Sequence, residues 1–240
     1  MKKYVVIVTV LIILLNANII FAESELGFNY HNSQFKFNND FNGDLISKEV
    51  TGKINLPYGI DLNANYNFGN YNNYIDSEIK DLDVTLTKDF ISKSDVRLAL
   101  GTGLNYSEFN TSLFNQELFN IKDKGINLVL ELEKGLTDKI SLFTDLKYGI
   151  LGNYSLNSKF LDVGSVTDYK VENNYKLQAG FDFDVTSDLK FKIGYNIAQE
   201  KIKNQKFNSI NLIVNDDDLA DLTNITKIEQ GLFFGAETSF

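Results

Sequence analysis

The 240 residues include no cysteine, one histidine and one proline. Without thiols the chain forms no disulfide and no thiolate metal site, and it carries no lipid-modified cysteine, although an oxidising compartment is permitted. The lone histidine, His31, supplies neither a ligand set nor the nucleophile, base and orienting group of a catalytic triad. No glycine-rich phosphate loop, metal-spaced His/Cys set or nucleophile elbow is present, so no cofactor is expected. Positive charge is also scarce: 23 Lys and Arg face 32 Asp and Glu, a formal net charge of −9. Nucleic acid, whose phosphates need a basic face, is therefore excluded as a partner. Beyond residue 22 there is no long apolar run, which excludes helical crossing of a bilayer.

The one long apolar run lies at the start. Lys2 and Lys3 precede the nearly unbroken stretch Tyr4 to Leu15, and Ile20-Phe21-Ala22 leads into the polar Glu23-Ser24. Basic, apolar and small-residue regions in that order make a secretory signal peptide, residues 1–22, cleaved after Ala22. An uncleaved anchor is the alternative, although Asn16 and Asn18 interrupt the run. Loss of Lys2 and Lys3 with no acid takes the formal charge from −9 to −11. Residues 23–240 then form one domain.

That domain alternates. Ile60, Leu62, Ala64, Tyr66 and Phe68 share one parity, against Asp61, Asn63, Asn65 and Asn67 on the other. Period two means a strand with one apolar and one polar face. Segments of about ten residues suit tilted crossing of a bilayer better than the short strands of a soluble sandwich. Ten such segments are expected, with eight as the alternative. The first is irregular: Leu26, Phe28 and Tyr30 have one parity, Phe35 and Phe37 the other. A bulge near Asn32-Ser33 would reconcile them, or only half is a strand. Short connections at 57–59, 88–95, 135–139 and 186–188 alternate with long ones at 69–77, 107–124, 152–168 and 198–223, which places both ends on the short-turn rim.

In the last strand, Leu232, Phe234, Ala236, Thr238 and Phe240 oppose Glu229, Gly231, Gly235 and Glu237, with Phe233 the apolar exception. A strand ending on Phe240 resembles the closing strand of bacterial outer-membrane β-barrels. Over its mature length the chain resembles the small opacity-type and porin-like surface proteins. The resemblance implies an insertion signal at Leu232, Phe234 and Phe240, read by the outer-membrane insertion machinery; Thr238 departs from the usual pattern. It also implies an outer-membrane location with both termini periplasmic, with the membrane lipid and an extracellular ligand or host surface as further partners. The fold class is then an all-β, transmembrane, antiparallel up-and-down barrel.

An ionised side chain on a barrel's lipid face costs about 2–4 kcal/mol at the midplane, so the charged parity must face the lumen. It comprises Glu49, Lys53, Asp61, Asp81, Asp83, Arg97, Glu131, Glu133, Asp145, Lys147, Lys176, Asp182, Asp184, Lys190, Lys192 and Glu237. Tyr58, Tyr66, Tyr106, Tyr148, Tyr175 and Tyr195 suit an interfacial girdle. A ten-stranded bore is narrow, which favours a salt-bridged plug over a cation-preferring pore. Omptin proteases are similar in strand count and use a histidine with aspartates at the rim, and lipid-modifying barrels use His and Ser. His31 has no such partners here, so no enzyme is expected. Asp216, Asp217, Asp218 and Asp221 could hold Ca²⁺, but without EF-hand spacing they suit a solvated turn better. The apolar stretch Phe109 to Phe119 either contacts an external partner or folds over the barrel mouth.

Overall fold

Alternating side chains favour extended backbone, and ten extended segments pair into one sheet. The computed structural model describes residues 24–37, 41–72, 76–93, 95–113, 116–158, 163–204 and 224–240. The strands are β1 Ser24–Phe37, β2 Phe41–Leu56, β3 Ile60–Asn72, β4 Asp76–Lys93, β5 Val96–Leu113, β6 Gln116–Thr137, β7 Ile140–Ser158, β8 Val163–Asp184, β9 Leu189–Asn204 and β10 Asn224–Ser239. Each pairs antiparallel with its chain neighbours, and β1 pairs with β10 to close the barrel. At the seam, Ser24 N–H donates to the Phe240 carbonyl at 3.2 Å and Phe240 N–H to that of Ser24 at 3.0 Å. Closure leaves no edge with unpaired backbone groups, which a bilayer would penalise by several kcal/mol each.

Three expectations change. β1 is one continuous strand in unshifted register with both β2 and β10, so neither a bulge at Asn32-Ser33 nor a half-strand is needed. Phe35 keeps its parity and turns inward, fully buried. Two of the long connections, 107–124 and 152–168, are largely strand: β5 and β6 pair up to Leu113 and Gln116, and β7 and β8 up to Ser158 and Val163. The short connection at 88–95 is also mostly ladder, because β4 pairs through Lys93 after a register shift between Asp89 and Ile91. The turn at 57–59 holds both Tyr58 and Gly59 at positive φ, 69° and 68°. Pro57 sits there outside the ladder, where its missing N–H costs nothing.

The outer wall is apolar. Phe28, Leu104, Leu128, Leu232 and Phe234 are exposed by 48, 62, 52, 62 and 59%. A continuous apolar belt of this kind on a water-soluble monomer would be an association hazard; facing lipid it is simply solvated. No helix among the described residues is long and apolar enough to cross a membrane.

Candidate functional site

The sites with convergent chemistry lie inside the barrel. Towards the short-turn rim, Arg97 divides its guanidinium among three carboxylates. Nη2 lies 2.5 Å from Asp61, Nε 2.8 Å from Asp89 and Nη1 3.3 Å from Glu131. The planar fork, with its donors on three separate nitrogens, suits this division in a way a lysine ammonium does not. Lys53 adds contacts of 3.4 Å to Asp61 and 3.7 Å to Glu25. On the far wall Lys192 lies 2.7 Å and Lys190 4.0 Å from Glu237. Register makes some of these pairs inevitable: Glu237 sits directly opposite Lys190, and Asp182 opposite Lys192. Between them a cavity of about 190 Å³ is lined by Lys53, Arg97, Glu133, Asp145, Asp182 and Glu237, among others.

Halfway up, Glu49 is buried and accepts a 2.8 Å hydrogen bond from Asn29 Nδ2, with Lys176 Nζ and His31 Nε2 each 3.8 Å away. His31 is 2% exposed and stacks on Phe233 at 5.3 Å between centroids. Phe233 lies 6.0 Å from Phe143, and Lys192 Nζ approaches the Phe143 ring to 5.7 Å. Both inward rings have a glycine beside them: Phe233 is paired with Gly194 and Phe143 with Gly180. A Cβ on Gly194 would come within 2.8 Å of the Phe233 ring, so glycine makes room for the aromatic crossing.

A second polar layer lies above this one. Lys147 is 3.0 Å from Asp83 and Lys227 is 3.6 Å from Glu200. Asn105 donates to Asp123 at 2.6 Å, Asn67 to Asp81 at 3.4 Å and Asn196 to Glu229 at 3.2 Å. Asp81, Asp83, Asp123, Lys147, Glu200 and Lys227 line a cavity of about 100 Å³, which shares Lys147 with the lower one. Near the long-hairpin rim the inner wall turns apolar. Ile79, Phe109 and Ile121 follow one another across β4, β5 and β6 in register, all buried. Phe35 reaches Phe109 from β1, rings 5.3 Å apart, although β2, β3 and β4 lie between the two strands in the sheet. Leu45 and Tyr154 are buried as well.

The charged residues expected in the lumen take the inward parity, and several meet: Arg97 with Asp61 and Glu131, Lys147 with Asp83, Lys176 with Glu49, and Lys192 with Glu237. Asp184 ends β8 and is exposed at the rim. Asp89, Asp123, Glu200 and Lys227 were not anticipated; Asp89, Asp123 and Glu200 fall in segments that read as connections. Phe143, like Phe233, lies on the polar parity of its strand, and that parity was the available signal. His31 is neither at a rim nor in an irregular segment; it lies within the bore. Phe109 faces inward, which removes it from any external patch, and the side chains of residues 113–119 lie outside the described residues. So do the candidate Ca²⁺ ligands Asp216, Asp217, Asp218 and Asp221, and the leader 1–22. Among the described residues no cluster of His, Cys, Asp and Glu is arranged to hold a metal ion. Leu232, Phe234 and Phe240 all face outward and are exposed.

No protein-family model and no curated protein sequence matches this chain. Solved structures do. It is similar to the outer membrane protease OmpT from Escherichia coli, with a TM-score of 0.55 and 13% identity over 92% of this chain and 94% of that one. It is also similar to the translocator domain of the autotransporter NalP from Neisseria meningitidis, with a TM-score of 0.51 and 8% identity over 91% and 88%. Neisserial surface protein A is similar at a TM-score of 0.46, with 11% identity over 91% and 99%. At these identities the likeness is one of fold: the chain has the closed antiparallel barrel of outer-membrane proteins.

Proposed function

We propose that this chain is a non-enzymatic outer-membrane surface barrel of the small opacity-type and porin-like kind, with a plugged lumen and external contacts made by its long hairpins. In this reading residues 1–22 export the chain, the insertion machinery reads Leu232, Phe234 and Phe240, and both termini lie in the periplasm. The observation that carries the plug is the Phe35–Phe109 stack, which joins distant parts of the wall across the bore. Below it the Phe143–Phe233 approach and the ion pairs around Arg97 narrow the path again. An ion passing that way would have to displace buried rings and compete for committed carboxylates. The burial of His31 beneath Phe233 supports the absence of rim hydrolase chemistry.

Planar-bilayer recording tests the plug: the refolded barrel should give no resolved unitary steps. Reproducible cation-selective steps would overturn this reading in favour of a narrow pore, which the two carboxylate-lined cavities support. External contact is tested by deleting residues 110–119 from the tip of the β5–β6 hairpin and measuring cell-surface binding. Binding that survives this deletion, and that of every other hairpin tip, would dismiss the surface role.

A further inference from the structure

The lower cavity carries more negative charge than its own cations balance. Seven of its lining residues are acids and five are bases. Two of those bases are shared with acids outside it: Arg97 with Asp61 and Asp89, and Lys147 with Asp83. Two lining carboxylates, Asp145 and Asp182, form no ion pair among the described residues. Asp182 is 5% exposed, and its Oδ1 has no hydrogen-bond partner among the described residues although the side chain lines the cavity. It faces Lys192 across the ladder, but Lys192 Nζ turns to Glu237 at 2.7 Å, as Lys190 does at 4.0 Å. An unpaired buried carboxylate oxygen is costly, and a cation arriving from outside relieves that cost.

The same wall is partly apolar. Along the inner face of β7, Phe143 lies between Ser141 and Asp145, and Asp182 faces Ser141 from β8. Asp145 and Asp182 therefore flank the Phe143 ring, with backbones about 14 Å apart at about 3.4 Å per residue. Between Gln178 and Asp182 the inward position on β8 is Gly180, which puts no side chain between the two acids. Val129 and Phe233 add further apolar lining. Glu25, Arg97 and Lys190, each the second residue of its strand, bring the cavity down to the short-turn rim. It is reached from there without passing the Phe35–Phe109 stack, which lies towards the opposite rim.

We infer that this cavity binds a small aliphatic diammonium compound, with one ammonium held by Asp145, the other by Asp182, and the alkyl chain laid along Phe143. Primary ammonium groups donate charge-assisted hydrogen bonds to carboxylates, and an aromatic face both attracts a cation and covers methylenes. A bare inorganic ion fits less well. The cavity of about 190 Å³ is several times the roughly 30 Å³ share of one water molecule, and among the described residues no carboxylates are arranged to hold a metal ion. An anion would meet the surplus of acids. The inference goes beyond the plugged barrel, because a site reached from one rim binds its ligand without any conduction.

The test is equilibrium dialysis of radiolabelled 1,5-diaminopentane against the mature barrel, refolded in neutral detergent. Potassium chloride at about 0.15 M screens loose surface attraction. A heat-dependent gel shift first confirms that each variant is folded. The diamine should bind saturably, one per barrel, and unlabelled pentylamine should compete only at about tenfold higher concentration. Asp145→Asn and Asp182→Asn should each weaken diamine binding by about tenfold and remove its advantage over pentylamine. Asp123→Asn, which neutralises a buried carboxylate of the upper cavity, should leave binding unchanged. No saturable binding, equal competition by the two amines, or an equal loss in Asp123→Asn would overturn the inference. Full displacement by equimolar magnesium chloride would overturn the organic assignment in favour of an inorganic counter-ion. Should an aspartate variant fail the gel shift, the wild-type comparison of the two amines decides alone.

Discussion

Replacing Arg97 with alanine should be among the most damaging single changes to the barrel interior. The guanidinium serves Asp61, Asp89 and Glu131 through three different nitrogens. Its side chain is 22% exposed, and those of the three carboxylates are 10, 22 and 17% exposed. Removing one partner from a fully buried pair costs about 3–5 kcal/mol, whereas exposed pairs are worth about 0–1 kcal/mol. This partial burial places the loss at about 2–3 kcal/mol, moderated by Lys53 at 3.4 Å from Asp61. Arg97→Lys should recover only part of it, since one ammonium cannot reach all three acids. Combining Arg97→Met with Asp61→Asn and Glu131→Gln should recover part, because two of the three uncompensated charges leave with the cation while Asp89 stays. Urea unfolding of the barrel in lipid vesicles, followed by the gel shift between folded and unfolded forms, measures each difference. An alanine variant within about 0.5 kcal/mol of wild type would refute the reasoning. So would a triple variant less stable than Arg97→Ala.

Phe35→Ala should destabilise the barrel by about 3–5 kcal/mol, the usual cost of emptying a buried aromatic site. Where it still folds, planar bilayers should show intermittent conductance that wild type lacks. Gly194→Ala should cost about 1–3 kcal/mol through overpacking against the Ala179 carbonyl oxygen and the Phe233 ring, and the added change Phe233→Leu should relieve only the ring's share of that loss in the same urea assay. Phe240→Ala should lower the amount of assembled barrel in cell envelopes while leaving the stability of the refolded protein within about 0.5 kcal/mol. Equal assembly of both forms would dissociate Phe240 from the insertion signal.

The wall of the barrel was legible in sequence because charge is expensive in lipid and parity is binary. Asp61, Asp83, Arg97, Glu131 and Lys147 could be assigned to the inner face from their neighbours alone. What parity cannot convey is distance across the bore. Phe35 and Phe109 lie far apart in the chain, and nothing local to either shows that their rings meet. The same holds for Asp89 and Asp123, which fall in polar stretches that resemble loops. There the ladder continues past the lipid, and alternation loses contrast once both faces meet water. Strand β1 misled for a related reason. The inward Phe35 broke an expected pattern, and a bulge was the local way to repair it. The actual reason is tertiary, an apolar layer inside a polar lumen.

The seam between β1 and β10 has a property that lipid alone could not confer. A slip of two residues preserves parity, so the membrane-facing side would scarcely register the error. Inside, however, Asn29, His31 and Ser33 are matched with Gly235, Phe233 and Gly231. Shifted by one such step, the bulky ring would collide with Asn29, which holds Glu49, or with Ser33, while His31 would face a glycine and lose its stack. The two ends of the polypeptide thus recognise one another by size, large beside small in strict order. An assembly intermediate paired in the wrong frame remains unfinished until it reopens.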